Sequence, residues 1–181
     1  NDRGKVCAAD NACPLPLLVL ADRQTAGRGR GGNRWWASQG SLTFSLVVGP
    51  DYLPSSLSHA AMVSLAAALS VVDAVRVRLP DRELGLHWPN DVFAAERKLS
   101  GILIETLSNR RRVLGIGVNV NNRFDDAPEA VRRRAVSLGE LTAAPLDPTE
   151  VLIDVLRHLD TRLAQLRADP AALAADADRA C

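Results

Sequence analysis

The 181-residue sequence predicts an α/β fold, and three observations carry that prediction. Short apolar runs bounded by Gly, Pro and Asn recur through the first two thirds of the chain. A long apolar stretch with helical spacing lies among them, and a one-faced helical pattern follows near the end.

Taken in order, Asp2 to about Ala12 reads as a short helix, stopped by Pro14 and Pro16 because a proline ring cannot continue a helix. Leu15 to Ala21 is a compact apolar run that suits a buried strand. A glycine-arginine loop follows. Ser41 to Val48 alternates as a strand with one covered face does. Pro54 to about Val77 reads as a helix that Ser55 to Ser58 can cap. Its residues Ala60, Ala61, Val63, Leu65, Ala67, Leu69 and Val72 make it apolar enough to pack centrally. Leu84 to Trp88, Lys98 to Leu107 and Arg112 to Val120 read as strands, with Asn109 and the arginines around it as a hairpin connection between the last two. Asp147-Pro148-Thr149-Glu150 opens a helix, with Pro and acids placed where a first turn favours them. Val151, Leu152, Val155, Leu156, Leu159, Leu163 and Leu166 give that helix one apolar face. Pro170 begins an alanine-rich last segment. With no internal repeat and no long linker, residues 1–181 read as one domain. The initial Asn in place of Met reads as a fragment of a longer protein.

Lys plus Arg number 22 against 21 acids, and the resulting net charge of +1 predicts no general affinity for nucleic acid or membrane. Charges interrupt every apolar run before the roughly 20 residues a membrane-spanning helix needs. The chain shows no secretory leader, so it reads as soluble and cytoplasmic. Cys7, Cys13 and Cys181 match neither a zinc site nor a redox pair and read as reduced thiols. His59 and His158 lack partners at metal-ligand spacing and read as structural.

Three clusters carry chemistry. In Gln24-Thr25-Ala26-Gly27-Arg28-Gly29-Arg30-Gly31-Gly32-Asn33-Arg34-Trp35, four glycines in six positions free the backbone. Four arginines (Arg23, Arg28, Arg30, Arg34) stand with no acid between them, so the loop reads as a trap for an anion. Gly27 to Gly32 also fits the dinucleotide pattern G-x-G-x-x-G, but no apolar helix follows and no strand ends in an acid about 20 residues on, so that reading fails. In the second cluster, His87-Trp88-Pro89-Asn90-Asp91 makes a turn and Lys98 begins an apolar strand seven residues after Asp91. A hairpin returning across that gap brings ammonium beside carboxylate, where it can bridge two anions while charge builds between them. The alternative is a plain turn with a sheet-edge lysine. The third cluster is Gly115-Ile116-Gly117-Val118-Asn119-Val120-Asn121-Asn122. Glycines inside a strand mark a close approach to the backbone, and Asn119 and Asn121 offer donors and acceptors to a purine or phosphate.

Together these motifs resemble the biotin protein ligase family. The resemblance runs from Asn1 to about Leu141. It rests on Gln-Thr-Ala-Gly-Arg-Gly-Arg with Trp35 beyond it, Trp-Pro-Asn-Asp, Arg-Lys-Leu-Ser-Gly-Ile-Leu-Ile-Glu and Gly-Ile-Gly-Val-Asn-Val-Asn, in that order and spacing. The related lipoate ligases share the fold, but their arginine-rich triple-glycine motif is absent. The resemblance implies an α+β catalytic core with a mixed β-sheet flanked by helices, similar to class II aminoacyl-tRNA synthetases. A small C-terminal β-barrel domain would begin about where the chain stops. It implies ATP, Mg²⁺ and biotin as ligands, a biotinyl-5′-AMP intermediate, and transfer to a biotin carboxyl carrier domain. Asn1, Gln24, Arg28, Gly29, Arg30 and Lys98 would contact biotin. Gly27, Arg28, Arg30, Trp35, Asn90, Asp91 and Asn119 would serve the nucleotide, with Mg²⁺ carried on the ATP phosphates and Asn119 as one candidate oxygen. Lys98, Arg30 and Asp91 would be the catalytic groups, and the loop would close as a lid. The family includes monomers and sheet-edge homodimers, and both remain open.

The chain departs from the family at His87, where Lys is common, and at Gly31 and Asn33, where arginines are frequent. The Ser and Thr of the motif that ends at Asn1 do not appear. Two other readings are a non-catalytic biotin-sensing module and a nucleic-acid-binding domain built on the loop. Lys98, Asp91 and Asn119 argue against the first, because biotin alone needs no nucleotide side. The near-neutral charge argues against the second.

Overall fold

Six strands join in one sheet in the computed structural model, in which residues 1–53 and 60–181 are described. They are β1 (Leu17–Ala21), β2 (Ser41–Val48), β3 (Leu84–His87), β4 (Asp91–Ala94), β5 (Arg97–Thr106) and β6 (Arg112–Asn119), in the order β1-β2-β6-β5-β4-β3. Every ladder is antiparallel. The parallel component of the expected mixed sheet is, among the described residues, the single bridge between Lys98 and Ala135. The helices are α1 (Asp2–Ala9), α2 (Ala60–Arg76), α3 (Glu129–Arg132), α4 (Leu138–Thr142), α5 (Pro148–Ala168) and α6 (Pro170–Asp178).

Alternation along the strands makes two unlike faces. Leu42, Phe44 and Val48 of β2, Ile102 of β5, and Leu114, Ile116 and Val118 of β6 point into the main core with α2, α5 and α6. Each such side chain contributes roughly 1.5–3 kcal/mol over its exposed state, so stability is concentrated on this face. The helix layer is bound by charge as well: Arg162 of α5 reaches Asp73 of α2 at 2.7 Å and Asp176 of α6 at 2.5 Å. The other face carries Thr43 and Ser45 on β2 opposite Gly117 and Gly115 on β6, which leaves it shallow and polar. Helix α1 covers one end of it. Ala8 packs there with Val47 and Val113, and an added Cβ on Gly4 would fall 2.9 Å from Val113 Cγ1.

Several expected boundaries shift. Helix α1 stops at Ala9, because Asp10 turns extended and Asp10 Oδ1 accepts from Ala12 N instead. Strand β4 has no counterpart in the sequence reading, since it is four residues long and begins inside what reads as a turn. The described part of the helix expected from Pro54 is Ala60–Arg76; its start, the Ser55 to Ser58 cap and His59 lie outside the described residues. Helix α5 starts as expected, with Asp147 Oδ1 accepting from Thr149 N at 2.7 Å and Pro148 in the first turn.

Candidate functional site

The position of Lys98 depends on an irregularity in β5. Asp91 pairs with Gly101 and Val92 with Ser100, but Phe93 pairs with Lys98, so Leu99 is an extra residue. Such a bulge reverses the alternation beyond it. Lys98 therefore shares the polar face with Gly101, and an added Cβ on Gly101 would sit 3.4 Å from Lys98 Nζ. The backbone of Lys98 is held on three sides. Its N donates to Arg134 O at 2.6 Å, and its carbonyl accepts from Val136 N at 3.0 Å and Asn119 Nδ2 at 3.2 Å. Its ammonium lies 2.5 Å from Asp91 Oδ2. Strand β5 runs between β4 and β6, so the sheet-edge alternative for Lys98 does not apply.

The glycine-arginine segment folds as a small hairpin over this face. Trp35 N donates to Gly27 O at 3.0 Å, Gly29 N to Asn33 O at 2.7 Å, and Asn33 N to Arg30 O at 3.1 Å. The reversal uses Gly31 and Gly32 at φ 61° and 83°, a region costly for residues with a Cβ. Two arginines fasten the hairpin at opposite ends. Arg30 Nη1 donates to Asn90 Oδ1 at 3.0 Å, and Asn90 Nδ2 donates on to Asp91 Oδ1 at 2.9 Å. Arg28 Nη2 reaches Asp2 at 2.7 Å and Glu105 at 3.1 Å. Burial opposes ionisation of Glu105, yet hydrogen bonds from Asn1 and Lys5 and the charges of Arg28 and Lys5 outweigh it and hold its carboxyl below the usual range. Hydrogen bonding to Glu105, then to Asp2, raises Lys5 above its usual value.

Beneath the hairpin, glycines set the floor. The indole of Trp35 lies on Gly117 and Gly101, where added Cβ atoms would fall 2.6 and 3.2 Å from ring carbons. Its Nε1 is buried with no acceptor among the described residues. Lys98 Nζ stands 5.8 Å from the ring centroid. Asn1 occupies the space over Gly115, donating to Leu103 O at 3.1 Å and Glu105 Oε2 at 2.8 Å and accepting from Ser45 Oγ at 2.9 Å.

One cavity is lined by Asn1, Gln24, Gly27, Arg28, Gly29, Arg30, Trp35, Asn90, Asp91 and Lys98, which are all of the sequence-derived candidates except Asn119. Asn119 lines a second, neighbouring cavity with Phe124, Val131 and Arg134. Its amide oxygen accepts from Asn122 Nδ2 at 3.1 Å. Asn121, also a candidate for a purine or phosphate, instead pins the chain at Leu146 through bonds of 2.7 and 2.9 Å. Arg34, Trp35 and Lys98 line both cavities, so a cation and an aromatic ring stand at their junction. Sequence reasoning missed Glu105, Asp2 and Lys5 as site residues. The lone acid closing the apolar run Leu99 to Ile104 was the available signal. Among the described residues, no group of three or more His, Cys, Asp or Glu converges as a metal site, and no helix is long and apolar enough to cross a membrane.

The model of the biotin/lipoate A/B protein ligase family matches residues 11–121. A biotin–[acetyl-CoA-carboxylase] ligase of Mycobacterium tuberculosis is 40% identical over 171 residues, which are 93% of this chain and 62% of that protein. The bifunctional ligase/repressor BirA of Bacillus spizizenii is 34% identical over 85% of this chain and 48% of its own length. The chain thus spans between about half and 62% of these two relatives. Biotin protein ligase from Aquifex aeolicus, solved with biotin and ATP, superposes with a TM-score of 0.78 at 34% identity, covering 92% of this chain and 68% of that one.

Proposed function

The chain belongs to the biotin/lipoate A/B protein ligase family, and from that premise we propose that the protein carrying it attaches biotin to a lysine of a biotin carboxyl carrier domain, with residues 1–181 as its catalytic domain. In the first half-reaction a biotin carboxylate oxygen attacks the α-phosphorus of ATP. The new O–P bond forms as the bond to the bridging oxygen breaks, giving biotinyl-5′-AMP and pyrophosphate. In the second, an uncharged lysine amine of the carrier attacks the acyl carbon, an amide forms, AMP leaves with the electron pair, and the amine proton passes to solvent.

The observation that carries this reading is the junction at Lys98. The larger cavity, beneath the hairpin and floored by glycines, suits biotin; the neighbouring one, with Asn119, suits the nucleotide. An ammonium at their meeting point lies where the carboxylate and α-phosphate must come together, and it stabilises charge that builds only in the transition state. Asp91, 2.5 Å away, holds that ammonium in place. Asn1, Gln24, Arg28, Gly29 and Arg30 would contact biotin. Gly27, Arg28, Arg30, Trp35, Asn90, Asp91 and Asn119 would serve the nucleotide side. The hairpin, fastened at both ends, would shield the mixed anhydride from water. Asp91 is already engaged by Lys98 and Asn90, so Mg²⁺ would be carried on the ATP phosphates, with the amide oxygen of Asn119 as one candidate ligand. When bound with ATP it would offset phosphate charge. The Aquifex aeolicus complex supports the ligand pair, and the name of the Mycobacterium tuberculosis relative supports a carboxylase as the source of the carrier. The reaction would belong in the cytoplasm, where ATP and carboxylases are found.

The test is biotin-dependent exchange of labelled pyrophosphate into ATP by the full-length protein. Exchange that requires biotin is expected. Biotin binding without exchange would replace the ligase with a sensor of the same fold.

A further inference from the structure

We propose that Glu105 is the positioning residue of the lid: it anchors the glycine-arginine hairpin through Arg28 and sets the closed loop in register with Lys98. The proposal rests on reading this hairpin as the lid of a biotin site. Glu105 stands at the far end of β5 from Lys98. The bulge at Leu99 puts both side chains on the polar face of one interior strand, with Gly101 between them. Both carboxylate oxygens are engaged. Oε1 accepts from Lys5 Nζ at 3.1 Å and Arg28 Nη2 at 3.3 Å, and Oε2 accepts from Asn1 Nδ2 at 2.8 Å and Arg28 Nη2 at 3.1 Å. One half-buried acid thus ties together the first turn of α1, the sheet and the hairpin.

The chemistry explains why an acid is used and why it leaves Arg28 able to act. Only Nη2 of Arg28 is spent on Asp2 and Glu105; its Nε and Nη1 make no hydrogen bond to the described residues. A guanidinium held by one edge keeps its other donors aimed in a fixed direction, as its planar fork requires. Lys5, 3.2 Å from Asp2 and 3.1 Å from Glu105, offsets the second negative charge, so the two carboxylates can approach one arginine together. At the other end, Arg30 holds Asn90 beside Asp91 and thereby the partner of Lys98. The hairpin is therefore strung between the two ends of the site, and Glu105 is the end not attached to the reacting groups.

The experiment is limited trypsin digestion of the ligand-free full-length protein, following cleavage after Arg30 and Arg34. Cleavage of a native loop follows the population of its open form when opening is fast. Because Arg28 is partly exposed, the pair is screened, and Glu105→Gln should speed cleavage roughly fivefold. Arg28→Gln should do the same, and the double variant should add little to either. Circular dichroism and the thermal midpoint report whether each variant stays folded. A folded Glu105→Gln protein cleaved at the wild-type rate overturns the proposal, as does an effect that persists in full when Arg28 is already Gln. Arg28→Gln keeps the test decisive if Glu105→Gln does not fold, and no increase there overturns the proposal. Biotin is then added to the wild type. Protection of the loop supports the lid reading. Accelerated cleavage in Glu105→Gln with no biotin protection in the wild type sustains the anchor while removing biotin as the ligand.

Discussion

Gly117→Ala probes the seat of Trp35, and its cost follows from the packing. An added Cβ would lie 2.6 Å from Cε2 of the indole and 2.8 Å from Cζ2. Carbon atoms pack at about 3.5–4.0 Å, so the ring must move by roughly 1 Å. Gly101 on the neighbouring strand limits that movement, because the ring is already close to it. Overpacking of this kind costs about 1–3 kcal/mol. Replacing glycine within a strand returns about 0.5–1 kcal/mol through the unfolded chain, since Gly117 has no positive φ to protect. The net expectation is a loss of about 1 kcal/mol. In a Trp35→Ala background the obstacle is gone, and Gly117→Ala should be neutral or stabilising by about 0.5 kcal/mol. Urea unfolding of the four proteins, followed by far-ultraviolet circular dichroism, gives the coupling energy directly. A coupling of about 1–3 kcal/mol is expected. Additivity within about 0.3 kcal/mol would refute the claim that Gly117 exists to seat the indole.

Other consequences are open to measurement. Arg162→Ala removes the cation that bridges Asp73 and Asp176, leaving Asp176 to Gln165 and Arg179, and should lower unfolding free energy by about 1 kcal/mol, read from the urea midpoint. Arg30→Ala removes the hydrogen bond to Asn90 and should hasten release of biotinyl-5′-AMP, measured by stopped flow; an unchanged release rate would mean that the hairpin is no lid. Glu105 is held below the ordinary carboxylate range despite its burial, by Asn1, Lys5 and Arg28. Its stabilising contribution should therefore be complete above the unfolded value of about 4.3 and disappear as pH falls through the lower folded value. Glu105→Gln should flatten that acid limb of the urea midpoint, and an unaltered limb would place the acid sensitivity elsewhere.

What could be read in the chain depended on the distance over which each signal acts. Helix α5 was legible because its cap, Asp147-Pro148, and its apolar face are local patterns. The approach of Lys98 to Asp91 was legible because only seven residues separate them. The reason Lys98 faces the cavity was not, since the bulge at Leu99 is a matter of pairing between strands and carries no glycine or proline to mark it. Strand β4 was hidden by its brevity, and α3 and α4, at four and five residues, are too short to show a helical period. Glu105 was the least legible. Its partners Arg28, Lys5 and Asn1 lie 77, 100 and 104 residues away, and only the folded sheet brings them together.

Single-turnover formation of biotinyl-5′-AMP shows whether the ammonium of Lys98 stabilises charge between biotin and the α-phosphate. Wild-type protein and Lys98→Ala are compared at saturating biotin and ATP, with biotin affinity measured separately so that binding and chemistry are resolved. Loss of a fixed transition-state donor typically costs a factor of about 10²–10³, and a fall of that size in the adenylation rate is the predicted result. A Lys98→Ala protein that forms the adenylate within about threefold of the wild-type rate, well short of that factor, would mean that this ammonium is not what stabilises the developing charge.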